Sequence, residues 1–185
     1  MDFNLSREHQ LIRKMMAEFT EKEVKPIAAE TDRTCEYPRE NIEKLFDLGV
    51  MGMCVPKEYG GSGLSLQQIA AEQTRLAKAA PATALGINMH QIIVALGKFL
   101  ARHGNPAGEQ ILRDAAAGEL FGFGISEPGN DLVLFGSISE ARPERDGAYS
   151  FYGTKVFTSL APAWTRLLTF GADTVSEDAP KSVFA

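Results

Sequence analysis

From Ala79 to Gly97 the chain carries nineteen residues without a formal charge. A run of that length has two possible homes, a bilayer or the interior of a helical bundle. The run contains Pro81 near its start and Asn88, His90 and Gln91 near its middle. Unpaired polar groups in hydrocarbon are costly, so a buried helix in a bundle is expected and no membrane span.

The flanking sequence supplies the rest of such a bundle. Leu11, Met15 and Phe19, with Ile12 and Met16 beside them, predict a first helix capped by Ser6 and kinked or ended at Pro26. Pro38 suits the first turn of a second helix, with Ile42, Leu45, Phe46 and Leu48 inward and Gly49 as its stop. Ser65 and Gln68 have the spacing of a capping box for a third helix running to about Lys78. The uncharged run is the fourth helix, carrying Leu85, Met89, Ile92, Leu96 and Phe99. Asn105-Pro106 starts a fifth that Gly118 ends.

From Leu120 the pattern changes. Leu120–Ser126, Ala148–Tyr152, Lys155–Leu160 and Trp164–Phe170 read as strands, and Asp146-Gly147 as a hairpin turn. Residues 172–185 are small and acidic and read as a loose tail. The expected fold class is α+β: an all-α domain over residues 1–119, then a partial antiparallel β-domain over 120–185. So few strands leave sheet edges open, so the β-domain reads as incomplete.

A chain of 185 residues can bury a sizeable core without a disulfide or a metal. Its net charge of −5 argues against a nucleic-acid partner, which favours a clustered basic face. Cys35 and Cys54 form no CxxC pair, and His9, His90 and His103 are not at metal-ligand spacing, so no metal is expected. His9 and His103 read as exposed, and His90 as a hydrogen-bonded helix histidine. The opening MDFNLSREHQ lacks the apolar core of a secretory signal, which gives a cytoplasmic expectation. The Asn4-Leu5-Ser6 glycosylation pattern then carries no meaning.

The glycine clusters do not make phosphate loops. Gly60-Gly61-Ser62-Gly63 does not fit GxGxxG, Glu127 stands where Gly122-Phe123-Gly124 would need its third glycine, and Val156 follows Gly153-Thr154-Lys155. No GxSxG nucleophile elbow occurs. Two segments stand out together: Phe123-Gly124-Ile125-Ser126-Glu127-Pro128-Gly129 and Gly153-Thr154-Lys155-Val156-Phe157-Thr158-Ser159. Aromatics that wall a ring and hydroxyls that pair its edge suit a flat heteroaromatic ligand. Ordinary amphipathic strands account for the same residues.

Taken in order, four motifs resemble the front half of the acyl-CoA dehydrogenase family. They are Glu23-Val24-Lys25-Pro26 with Asp32-Arg33; Leu48-Gly49-Val50-Met51-Gly52-Met53 with Val55-Pro56-Lys57-Glu58-Tyr59-Gly60-Gly61; Ser126-Glu127-Pro128-Gly129; and Tyr152-Gly153-Thr154-Lys155-Val156-Phe157-Thr158-Ser159. The resemblance runs from about residue 3 to 171. It implies a helical domain, a β-domain and a C-terminal helical bundle, with FAD between the last two. The reaction it implies belongs to fatty acid metabolism: α,β-dehydrogenation of an acyl-CoA thioester, with hydride transfer to the flavin. By motif position, Phe123 and Ile125 would offer backbone contacts to the flavin, and Ser126 a hydroxyl to its pyrimidine edge. Phe157 would pack on its face, and the Ser159 hydroxyl would approach N5. Glu127 is part of the fold in the family.

The resemblance also has departures. The family usually continues Ala-Gly-Ser-Asp after Glu-Pro-Gly, and its serine helps hold the acyl-CoA; here Asn130-Asp131 follows directly. The family's catalytic glutamate lies in the C-terminal bundle, beyond the last residue of this chain, so no catalytic residue is expected here. The chain is then expected to be a truncated portion, inactive alone, acting as a homo-oligomer or with a complementary C-terminal chain. Two alternatives stand beside this reading: a portion of a flavin monooxygenase of the same fold, and a non-catalytic helical partner-binding module.

Overall fold

A computed structural model describes residues 5–185; Asn4 of the glycosylation pattern, and residue 3 where the resemblance begins, lie outside the described residues. The chain divides into two compact units, one up to Leu120 and one from Phe121 to Ala185.

The first unit is helical. Helix α1 (Arg7–Phe19) is capped by Ser6, whose hydroxyl accepts the His9 amide at 3.1 Å. Its inward face carries His9, Met16 and Phe19, while Leu11 is turned outward. The expectation of an exposed His9 is therefore corrected. Its Nε2 lies 3.2 Å from buried Glu72 and its Nδ1 3.3 Å from the Gln68 amide, so the ring is fully partnered inside. Pro26 does not stop the helical path. A five-residue π-turn (Thr20–Val24) leads into α2 (Lys25–Thr34), and Pro26 falls in the first turn of α2, where a missing N–H costs least.

Helix α3 (Arg39–Asp47) buries Ile42 and Leu45 but leaves Phe46 and Leu48 exposed. Gly49 closes it at φ +73°. The predicted capping box is formed at the start of α4 (Leu66–Ala79), with Gln68 N donating to Ser65 Oγ at 3.3 Å and Ser65 N to Gln68 Oε1 at 2.9 Å.

The uncharged run becomes α5 (Pro81–Arg102), which by length and composition alone could cross a membrane. Two of its buried polar side chains are bonded to the chain before it. His90 Nε2 donates to the Met51 carbonyl at 3.0 Å, and Gln91 Nε2 to the Val50 carbonyl at 2.8 Å. Burial pulls the His90 pKa down to about 4. Helix α6 (Pro106–Ala116) begins at the Asn105 cap and packs on α5.

The second unit is a small mixed sheet of β1 (Phe121–Gly124), β2 (Glu140–Pro143), β3 (Tyr149–Tyr152), β4 (Arg166–Asp173) and β5 (Lys181–Phe184). The order β1-β4-β2-β3 has β5 beside β4. The sheet is not purely antiparallel as expected. β4 runs parallel to β1, to which the long connection from Ile125 to Thr165 returns the chain in the same direction, and parallel to β2 at Glu140 opposite Ala172. Buried Phe170 stacks on Phe184 at 4.9 Å and lies 4.4 Å from Lys155 Nζ.

Two local expectations are corrected here. Lys155–Leu160 is not a strand: only Val156 makes a bridge, and Phe157 and Leu160 take left-handed φ values of 58° and 69°. Nor is 172–185 a loose tail. Its anchor is buried Asp173, which accepts from Tyr149 Oη at 3.1 Å, from the Val175 and Ser176 amides at 3.0 Å each, and from the Ser176 hydroxyl. These bonds fix the turn that leads into β5.

Candidate functional site

The site begins where β1 ends. Among the described residues β1 pairs only with β4, Phe123 opposite Leu168, which leaves its other backbone edge outside the ladder. After Gly124 the Val156 amide donates to the Ser126 carbonyl at 2.8 Å, tying the loop after β3 to the end of β1. Thr158 packs close to the end of β1: a Cβ on Gly124 would sit 3.1 Å from its Oγ1.

Glu127 fixes this junction. Its buried carboxylate accepts from Lys155 Nζ at 2.7 Å, Ser137 Oγ at 2.6 Å, the Ile138 and Ser139 amides at 2.9 Å each, and Asn130 Nδ2 at 2.5 Å. Burial alone would raise its pKa. Lys155, Ser137, Ser139 and Ile138 outweigh that and hold the carboxyl well below the usual carboxylate range. Glu127 is thus an anchor rather than an acid or base, in keeping with its structural role in the motif. Gly153 lies so close that a Cβ there would overlap the Ser139 side chain.

Around this anchor lies an open cleft of about 570 Å³ lined by Ser126, Pro128, Gly129, Asn130, Val156 and Phe157, with Glu127 behind. Phe157 is 87% exposed and sits at φ +58°. An unbranched aromatic held in that region and turned to solvent is uncommon, and such residues cluster at ligand sites. The Ser126 and Ser159 hydroxyls make no hydrogen bond among the described residues. Of the five residues predicted as a site, Ser126 and Phe157 come together in the cleft. Phe123 and Ile125 lie half-buried along the strand leading into it, and Ser159 is half-buried two residues past Phe157 without lining it. Lys155 was not predicted to act here; its partner lies 28 residues away, and nothing local in the sequence announces the pair.

The cleft sets an aromatic wall beside a hydroxyl that makes no hydrogen bond among the described residues, which fits the edge of a flat heteroaromatic ring. Among the described residues no group of three or more His, Cys, Asp or Glu could hold a metal.

The chain thus combines a helical unit with a small mixed sheet that carries this cleft at the end of β1. Residues 6–119 match the acyl-CoA dehydrogenase N-terminal domain family, and the chain belongs to that family. It is 37% identical over 159 residues to a short-chain specific acyl-CoA dehydrogenase of Clostridium acetobutylicum, covering 85% of this chain and 41% of that protein. The fold matches butyryl-CoA dehydrogenase from Megasphaera elsdenii with TM-score 0.82 and 25% identity, over 100% of this chain and 50% of the other. KijD3, solved with FMN and a dTDP-linked amino-keto sugar, matches with TM-score 0.83 and 26% identity over 98% and 45%. The chain therefore spans half or less of the length of these proteins.

Proposed function

We propose that this chain forms the flavin-side wall of an acyl-CoA dehydrogenase that uses FAD. The observation that carries the reading is the pairing of Ser126 with the exposed, left-handed Phe157 in one cleft. FAD, when bound, supplies the hydride acceptor for α,β-dehydrogenation. The chain's own residues orient it. The Ser126 hydroxyl would hydrogen-bond the pyrimidine edge, Phe157 would cover one face of the ring, and Phe123 and Ile125 would offer backbone groups. By its motif position Ser159 would offer its hydroxyl toward N5, although it does not line the cleft itself.

The test is a titration of the purified chain with FAD, followed by flavin fluorescence. A neutral hydrogen bond contributes about 0.5–1.5 kcal/mol, so Ser126→Ala should weaken binding about two- to tenfold. Phe157→Ala should weaken it further. Unchanged binding in both variants would overturn the assignment. Addition of a family C-terminal half as a second polypeptide should then give acyl-CoA-dependent bleaching of the flavin.

A second reading keeps the flavin and changes the substrate. Where the family continues Ala-Gly-Ser-Asp, this chain has Asn130-Asp131 and then an exposed apolar turn with Leu132, Leu134 and Phe135. KijD3 holds a nucleotide-linked sugar on the same fold. Bleaching by no acyl-CoA of any chain length would favour this reading, with a flavin monooxygenase as the class.

A further inference from the structure

A second cavity, in the helical unit, has a different chemistry. It lies between α1 with its π-turn and α4, has a volume of about 500 Å³, and is lined by Arg13, Thr20, Glu21, Lys25, Arg75 and Lys78 with small alanines between them. Four cations meet one carboxylate on its wall, in a chain whose net charge is −5. We propose that this cleft binds a phosphate-bearing anion of diphosphate size.

The partners of each cation support this. Lys25 is committed to Glu21 at 2.7 Å. Arg75 is braced from the core side, its Nε 3.5 Å from Glu72, a buried carboxylate already shared with His9. That distance is too long for a good hydrogen bond, and the Arg75 Nε stays without a hydrogen-bond partner. Arg13 and Lys78 have no ion pair among the described residues, and both are exposed. Cations gathered around one concavity repel one another unless a counter-charge enters.

The cleft is built rather than incidental. Thr20, 2% exposed, carries a buried hydroxyl with no partner, and it opens the π-turn, an irregularity common at functional sites. The Arg75 side chain lines the cavity and lies beside buried Glu72. Planar guanidinium forks match phosphate oxygens in pairs, and Lys78 adds a point charge. The volume falls in the range of small-molecule sites, about 300–1,000 Å³, and exceeds what a single phosphate needs. A diphosphate supplies several negative charges in a compact span, which a single carboxylate does not.

The test is isothermal titration of the full chain with sodium pyrophosphate in metal-free, low-salt buffer. Saturable binding is expected, weakened at least about tenfold in Arg13→Gln/Lys78→Gln, since loss of two charge-assisted contacts is worth at least that factor. Lys14→Gln serves as the control: its side chain is exposed beside Glu18, outside the cleft, and binding should not change. Circular dichroism checks that the variants fold, which the exposure of Arg13 and Lys78 favours. Sulfate at equal ionic strength should bind at least about tenfold more weakly, having fewer charges to share among the cations. Equal binding of sulfate, or full binding in the double variant, would overturn the proposal. Capture on phosphatidylglycerol vesicles without pyrophosphate binding would overturn it in favour of a membrane surface.

Discussion

Lys155 and Glu127 show how much one pair of side chains can decide in a small sheet. The Glu127 side chain has no exposed surface and the Lys155 side chain is 14% exposed, so water offers little compensation for a lost partner. Removing one partner of a buried pair typically costs about 3–5 kcal/mol. Glu127→Gln should therefore destabilise the β unit by about that amount in urea unfolding, with little change if the pair is dispensable. The pH dependence has a definite sign. A carboxyl with a depressed folded pKa contributes stability that is full above its unfolded value near 4.5 and is lost as pH falls toward the folded value. Wild-type protein should lose stability in acid below about pH 4.5, and Glu127→Gln should flatten that limb. His90 acts in a higher window. Its folded pKa of about 4 lies below the ordinary histidine value of 6.5, so the neutral ring stabilises the helical unit above pH 6.5, and that contribution fades from 6.5 toward 4. The limb is worth up to ~3 kcal/mol. His90→Gln should remove it, measured as Tm against pH; an unchanged slope between pH 6.5 and 4 would show that the ring is not the titrating group.

The helix pair α5 and α6 depends on two glycines that touch back to back. A Cβ on Gly108 would overlap backbone atoms of Ala101 and Gly97, and one on Gly97 would lie 2.6 Å from Ile111 Cγ2. Two effects oppose each other in Gly108→Ala. Alanine gains about 1 kcal/mol of helix propensity. Overpacking against rigid backbone costs about 1–3 kcal/mol, and here the obstacle cannot rotate away. Overpacking should win, giving a net loss in urea unfolding; a rise in stability would mean the helices separate freely. Nothing in the sequence marks these glycines, because their role is set by a partner helix. Helix starts were legible where a local cap announces them, at Ser6, at Ser65 with Gln68, and at Asn105. The alternation Lys-Val-Phe-Thr-Ser-Leu imitates a strand, but the left-handed φ of Phe157 breaks it. β2 escaped notice because Glu140–Pro143 is short, polar and ends in proline. Ser126 and Phe157 were legible as a site only through the order of the motifs, since what joins them is a bridge between distant segments.

At the scale of the whole molecule, each unit has its own buried core and its own exposed apolar surface. In the helical unit Leu11, Leu66, Leu85 and Phe99 are more than half exposed; in the β unit Leu132, Phe135, Ile138 and Phe157 are. Scattered apolar residues on a surface are ordinary, but a turn carrying Leu132, Leu134 and Phe135 within four positions is a concentrated patch. Phe135, at 94% exposure, gives up almost none of its surface to the protein. Sequestering most of an aromatic side chain is worth about 1.5–3 kcal/mol, enough to drive association when several such residues act together. The chain is expected to self-associate in solution through this turn, in keeping with the homo-oligomeric expectation from its sequence. Size-exclusion chromatography with light scattering should show a mass that rises with concentration. Phe135→Ser, which touches neither the Glu127 anchor nor the cleft, should shift the population toward monomer without lowering Tm. If the wild-type chain stays monomeric at all concentrations, the turn is not a self-association surface. If Phe135→Ser associates as strongly as wild type, the contact lies elsewhere, and Leu66 and Leu85 along α4 and α5 are the next residues to change.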